Sequence, residues 1–154
     1  MGDEAENIYE QVRPLGNTIR FGIRRPKGIK VGSLPEVTRH MPDFFTTTYL
    51  VEVCGLGRDN ILKSVKVSKY NALKVWHKIA QLMGLMGVVL FIWNSSKQQF
   101  IVVAWTDVVS EVAYSKKKYG IQKFDSDGVE YYRLDWDRLC DKASFIGAYN
   151  KGES

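Results

Sequence analysis

Two carboxylates nine residues apart, Asp43 and Glu52, are the side chains whose type and spacing suit chemistry here. Asp43 stands in Pro42-Asp43-Phe44, and Glu52 in the alternating run Tyr49-Leu50-Val51-Glu52-Val53-Cys54-Gly55. A strand places residues two apart on one face, so Leu50, Glu52 and Cys54 point one way and Tyr49, Val51 and Val53 the other. A glutamate among Val and Leu is costly to bury unless it is paired, protonated or bound to a cation. Asp43, across a short hairpin, is close enough to share that cation. Mg²⁺ or Mn²⁺ takes oxygen ligands, here the two carboxylates, the main-chain carbonyl of Val53 and waters. An ion so held lowers the pKa of a bound water and neutralises the charge that develops as a phosphodiester is cut. The competing reading makes Asp43 a turn residue and pairs Glu52 with an Arg or Lys.

Elements that would position these groups can be read from periodicity. Residues 3–12 suit a helix that stops before Pro14 and Gly16. Residues 17–23 alternate as a half-buried strand, and 24–39 is a basic, Pro- and Gly-containing loop. Strands at 43–45 and 49–54 flank a Thr46-Thr47-Thr48 turn, and 61–67 reads as a further strand. Ser68 is placed to cap a helix running to Met83, with Ala72, Leu73, Trp76, Ile79, Ala80 and Met83 inward and Lys74 and Lys78 outward. Strands at 87–93 and 99–105 are near-continuously apolar, as expected of a hairpin covered on both faces. Thr106 caps a helix to Lys118, a strand at 130–134 follows the Asp127-Gly128 turn, and a short helix closes at 136–143. The expected fold class is α/β, a mixed central β-sheet flanked by helices.

Composition sets the bounds. A chain of 154 residues, 45% apolar and 25% charged, fits one domain with a real core, with 1–16 as an N-terminal helix or arm and 24–40 as a basic loop. The formal net charge of +5 favours an anionic partner. Arg13, Arg20, Arg24, Arg25, Lys27, Lys30 and Arg39 face a single acid, Glu36, within 13–39. Arg58, Lys63, Lys66, Lys69, Lys74 and Lys78 face only Asp59 within 58–78. Both stretches flank the carboxylate hairpin, so Arg24, Arg25, Lys27, Lys30, Arg58 and Lys63 are candidates for contacting a phosphate backbone. Two cysteines without a CxxC pair argue against a zinc site and against a disulfide scaffold. The apolar run 82–93 is too short to span a bilayer, and no apolar leader is visible, so no membrane association and a cytoplasmic location are expected.

Pro42-Asp43-Phe44, then Glu52-Val53-Cys54-Gly55, then basic residues leading into a helix, resembles the PD-(D/E)XK nuclease superfamily. That superfamily includes Holliday-junction resolvases, restriction enzymes and phage nucleases. The similarity in element order spans residues 4–105, and the ending Tyr131-Tyr132-Arg133-Leu134-Asp135-Trp136 looks like that of phage-encoded members, which would place the protein in the host cytoplasm. The resemblance implies a restriction-endonuclease-like core, DNA as partner, and Mg²⁺ or Mn²⁺ at Asp43 and Glu52, with Glu10 as a helix-borne accessory carboxylate. Resolvases of this superfamily act as dimers, so it also implies a homodimer. The superfamily's lysine belongs at position 54, where this chain has Cys54. A thiol is mostly uncharged near neutral pH and cannot stand in for an ammonium. Lys69, opening the helix, is the first candidate to fill the gap, followed by Lys66 and Lys63. The expected activity is metal-dependent hydrolysis of phosphodiester bonds in DNA, on branched or recombination intermediates. The alternatives are a catalytically impaired nuclease-fold module that binds nucleic acid or a protein partner, and a small α/β RNA-binding or viral structural domain.

Overall fold

The computed structural model describes residues 2–21 and 35–150. Arg24, Arg25, Lys27 and Lys30 therefore lie outside the described residues, as does most of the basic loop.

Helix α1 (Gly2–Val12) leads into strand β1 (Thr18–Arg20), a single helical turn α2 (Glu36–Arg39), and the hairpin β2 (Phe44–Thr46) and β3 (Tyr49–Gly55). A short β4 (Ile61–Leu62) precedes helix α3 (Val67–Leu82), which crosses to the hairpin β5 (Gly87–Asn94) and β6 (Gln99–Ala104). Helix α4 (Trp105–Tyr119) is followed by β7 (Gln122–Lys123), β8 (Glu130–Tyr131), β9 (Leu134–Asp135), helix α5 (Trp136–Lys142) and β10 (Phe145–Ala148). Six strands form one mixed sheet in the order β1-β2-β3-β5-β6-β10. Among the described residues only β3 and β5 pair in parallel, from Tyr49↔Gly87 to Gly55↔Trp93, the pairing that the α3 crossover permits.

Side-chain alternation sorts the central strands onto two cores. Leu50 and Cys54 of β3 with Val88, Leu90 and Ile92 of β5 meet Leu73, Val108, Val112 and Leu139 from α3, α4 and α5. Val51 and Val53 with Val89, Phe91 and Trp93 meet Ala5, Ile8 and Tyr9 of α1 on the other face. Covering both faces explains why β5 is buried along its whole length and reads as a continuous apolar run. No described helix is long and apolar enough to cross a membrane.

Several boundaries differ from the expectations. The strand expected at 61–67 is reduced to β4, which pairs with β9 outside the main sheet. The Lys66 N–H bonds the Ser64 carbonyl at 2.9 Å, a tight turn that breaks the extended run. Leu62 and Val65 are both buried, at a spacing that one strand face cannot supply. Neither expected cap operates: α3 starts after Lys66 and α4 after Ala104, without side-chain cap bonds, and the Ser68 hydroxyl faces His40 instead. Met83, expected inward, is more than half exposed. The final strand β10 goes beyond the expected elements; it pairs with β6, where Gly147 leaves room for the end of the Phe100 ring against the backbone.

Gly87 opens β5 with φ +148, and an added Cβ would lie 2.3 Å from the His77 ring, whose Nδ1 accepts the Val88 N–H. Because this residue starts the parallel register that carries Glu52, Gly87→Ala is expected to cost about 1–3 kcal/mol in urea unfolding, through strained backbone and a displaced imidazole.

Candidate active site

The sheet is interrupted where β2 meets β3. The Asp43 N–H bonds the Val51 carbonyl at 2.9 Å, and the Asp43 carbonyl accepts the Phe21 N–H at 2.8 Å, so its backbone is held from both sides. β2 then stops, while β3 continues to Gly55. Two residues beyond Val51, the Val53 N–H again points toward the β2 side and finds the Asp43 Oδ2 at 2.8 Å in place of a ladder partner. The main-chain carbonyl of Val53 faces the same open side, because both polar groups of one strand residue share an edge.

Glu52 lies on the α3 face of β3 and is 5% exposed. Its Oε2 takes an ion pair from Lys69 Nζ at 2.9 Å; Lys69 enters from the first turns of α3 with its stem along the rim. The charge of Glu52 holds the Lys69 ammonium above the usual lysine range against the opposing effect of burial. Asp43 sits between the two faces. Burial first, and the neighbouring Glu52 charge second, push its carboxyl up to about 7, while the Val53 N–H and a hydrogen bond with Glu6 pull the other way.

Glu6 is the residue that sequence reasoning missed. It descends from α1 on the opposite face and meets the Asp43 carboxyl; burial first, then Asp43, raises its pKa. Glu10, the expected accessory acid, is one helical turn further on and exposed, ion-paired to Arg20 at 3.0 Å. Arg20 also reaches Glu6 at 3.5 Å and lies over the Phe44 ring at 4.8 Å. The two glutamates share a helix face, so periodicity marks the pair, and only the height of α1 against the hairpin chooses between them.

The remaining candidates divide between two places. Cys54 is buried beside Lys69, and burial pushes its thiol up to about 12, so it is neutral and no nucleophile. His40, beside Ser68 at 3.3 Å, is held neutral at about 4 by burial and by the positive charges of Lys69, Arg39 and Lys66. Lys66 marks the exposed start of α3, Lys63 is ion-paired with Asp59 at 2.8 Å, and Arg58 is exposed on the preceding loop. The structure thus brings Asp43, Glu52 and Lys69 together, and places Lys66, Lys63 and Arg58 along an adjoining groove that starts at Gly55.

Whether this donor set suits a divalent ion can be judged from its chemistry. Among the described residues no cluster of three or more His, Cys, Asp or Glu side chains has the geometry to hold a metal. Two crowded carboxylates with a carbonyl on the same edge remain, all hard oxygen donors. That set matches Mg²⁺ or Mn²⁺, which bind through one or two carboxylates and keep several waters. A cation held there would relieve the mutual repulsion of Asp43 and Glu52.

No family model matches the chain, and no curated protein matches it. Among solved structures, the chain is similar to Hjc, a Holliday junction resolvase from the archaeal hyperthermophile Archaeoglobus fulgidus, with a TM-score of 0.46 and 11% identity over 88% of this chain and 90% of that one.

The raised Asp43 pKa has a signed consequence. In the folded state this carboxyl titrates at about 7, against 3.8 as the ordinary value, so between these limits the native state binds more protons than the unfolded state. Its contribution to stability is full below the lower value and is lost as pH rises through the upper one. Asp43→Asn, which keeps an oxygen for the Val53 N–H, should therefore melt above the parent at pH values past about 7 in chelator, by on the order of 2–4 kcal/mol, and converge with it near pH 4. Thermal unfolding across that range measures both limits.

Proposed function

We propose that the chain is a Mg²⁺- or Mn²⁺-dependent endonuclease that hydrolyses phosphodiester bonds in DNA, branched or recombination intermediates being the expected substrates. The observation that carries this reading is the crowding of Asp43 and Glu52 beside a neutral thiol at position 54; pairing of Glu52 with a lysine is also what the competing reading expects, and here the partner is Lys69 of α3. It supplies, from a helix, the positive charge that the PD-(D/E)XK pattern takes from the strand.

Asp43, Glu52 and the carbonyl of Val53 would hold the ion, which supplies Lewis-acid charge and an acidified water when bound. Asp43 is aimed by its bond from the Val53 N–H, and its backbone is locked between β1 and β3. Glu6 shares a proton with Asp43 in the absence of a cation, and on ionisation adds an acceptor at the same edge. Arg20 restrains Glu6 and limits the negative charge on that side. Lys69 stays protonated throughout the neutral range and so acts as fixed positive charge toward a phosphoryl oxygen, not as a proton acceptor. The sheet sets the carboxylates and the helix sets the ammonium.

A second reading, a DNA-binding module without catalysis, is favoured by Cys54 alone. The experiment separating the two is cleavage of supercoiled and branched DNA with Mn²⁺ or Mg²⁺. Parent protein should nick, Asp43→Ala should abolish nicking, and Lys69→Met should lower the rate by about 10²–10³-fold, the usual cost of one charge-stabilising group. Adding Cys54→Lys to Lys69→Met should recover part of that loss. Cleavage that persists in Asp43→Ala removes the assignment, and a parent inactive until Cys54→Lys is introduced establishes the binding module.

A further inference from the structure

A groove of about 530 Å³ begins at Gly55, directly after Cys54, and runs along residues 57–66 to Phe124. The groove thus opens at the end of β3, three positions beyond Glu52. Its charged members are Arg58, Lys63 and Lys66 against Asp59, a positive balance even after the Lys63–Asp59 pair at 2.8 Å is counted. Gly55 and Gly57 line it without side chains of their own, and the Asp59 carboxylate lies against Gly57, 3.2 Å from where a Cβ would stand.

The far wall is aromatic. Phe124 is half-buried in the β7–β8 hairpin and packs on Tyr131 with ring centroids 4.4 Å apart. Tyr131 is bridged through its backbone to Lys66, so the ring pair and the exposed lysine are fixed to one another. The Phe124 carbonyl and N–H are both used within the hairpin, by Gly128 and Val129, which holds the ring at the groove wall.

Cations with an aromatic face in one groove are the pairing that an unstacked nucleotide needs. In a duplex the base faces are hidden and only edges and phosphates are offered, so Phe124 would have nothing to stack on. We infer that this groove binds an unpaired DNA strand, its phosphates against Arg58 and Lys66 and a base against Phe124, and so delivers substrates with a single-stranded arm to the carboxylates. The inference rests on the nuclease reading for the direction of delivery, and on the groove alone for binding.

Binding is measured by fluorescence anisotropy in EDTA, with a labelled oligothymidylate and with a duplex of the same length. Phe124→Leu, which keeps an apolar side chain in the hairpin, should weaken oligothymidylate by roughly tenfold and duplex by less than about twofold; Lys66→Ala should weaken both. Equal weakening of the two DNAs by Phe124→Leu, or no weakening of either, overturns the inference. Photocrosslinking of the parent protein to an oligonucleotide carrying 5-iodouracil gives a readout independent of the variants. An adduct on Phe124 or Tyr131 supports the groove, and adducts confined to other residues overturn it. Strand discrimination without metal-dependent cleavage would sink the nuclease reading and leave this one, and cleavage with no effect of Phe124 would do the reverse.

Discussion

The bond from the Val53 N–H to the Asp43 carboxylate is the constraint around which the site is organised. A central strand that outruns its neighbour leaves backbone groups without a ladder, and buried backbone groups demand partners. Here a side chain supplies the partner, so an aspartate is held in place by the requirements of the sheet itself. The same shortfall of β2 opens a passage between the two faces. Through it Glu6 from α1 and Glu52 on the α3 side reach one carboxyl that belongs to neither layer.

Charge balance follows from that crowding. The Asp43 carboxyl answers it by titrating near neutrality, Glu6 by leaning on Arg20, and Glu52 by pairing with Lys69. A lysine at position 54 would have to leave a thoroughly buried position to reach the same acid. Lys69 brings its ammonium from α3 instead, and the charge of Glu52 outweighs the cost of burying it. Cys54 is then free to be what its surroundings favour, a small apolar group in the core beside Leu50 and Ile92.

Much of this was legible in the residues. The mixed sheet, the hairpin carrying Asp43 and Glu52, the long crossover helix and the apolar pair at β5 and β6 all follow from periodicity, which reports burial directly. Where the pattern misled, it had reported burial without membership: residues 61–67 are rich in Ile, Leu and Val, and Leu62 and Val65 are covered, yet a turn at Ser64 breaks the run and β4 pairs outside the main sheet. β10 escaped notice because an edge strand is half exposed and carries a glycine, so its apolar signal is weak. Which of Glu6 and Glu10 meets Asp43 was not legible for a different reason. One turn of helix separates them, and the seating of Ala5, Ile8 and Tyr9 on the sheet, a tertiary fact, decides which reaches the hairpin.

The acid and the ammonium are carried by separate layers, with Glu52 on a strand and Lys69 on a helix seated above it through Leu73 and Ala80. Their distance is therefore a gauge of how tightly α3 sits on the sheet. A lysine on the same strand as the glutamate would move with it through any loosening of that seat. In this chain the acid–ammonium pair is pulled apart by slippage between layers, which ties its geometry to the integrity of the core beneath the helix.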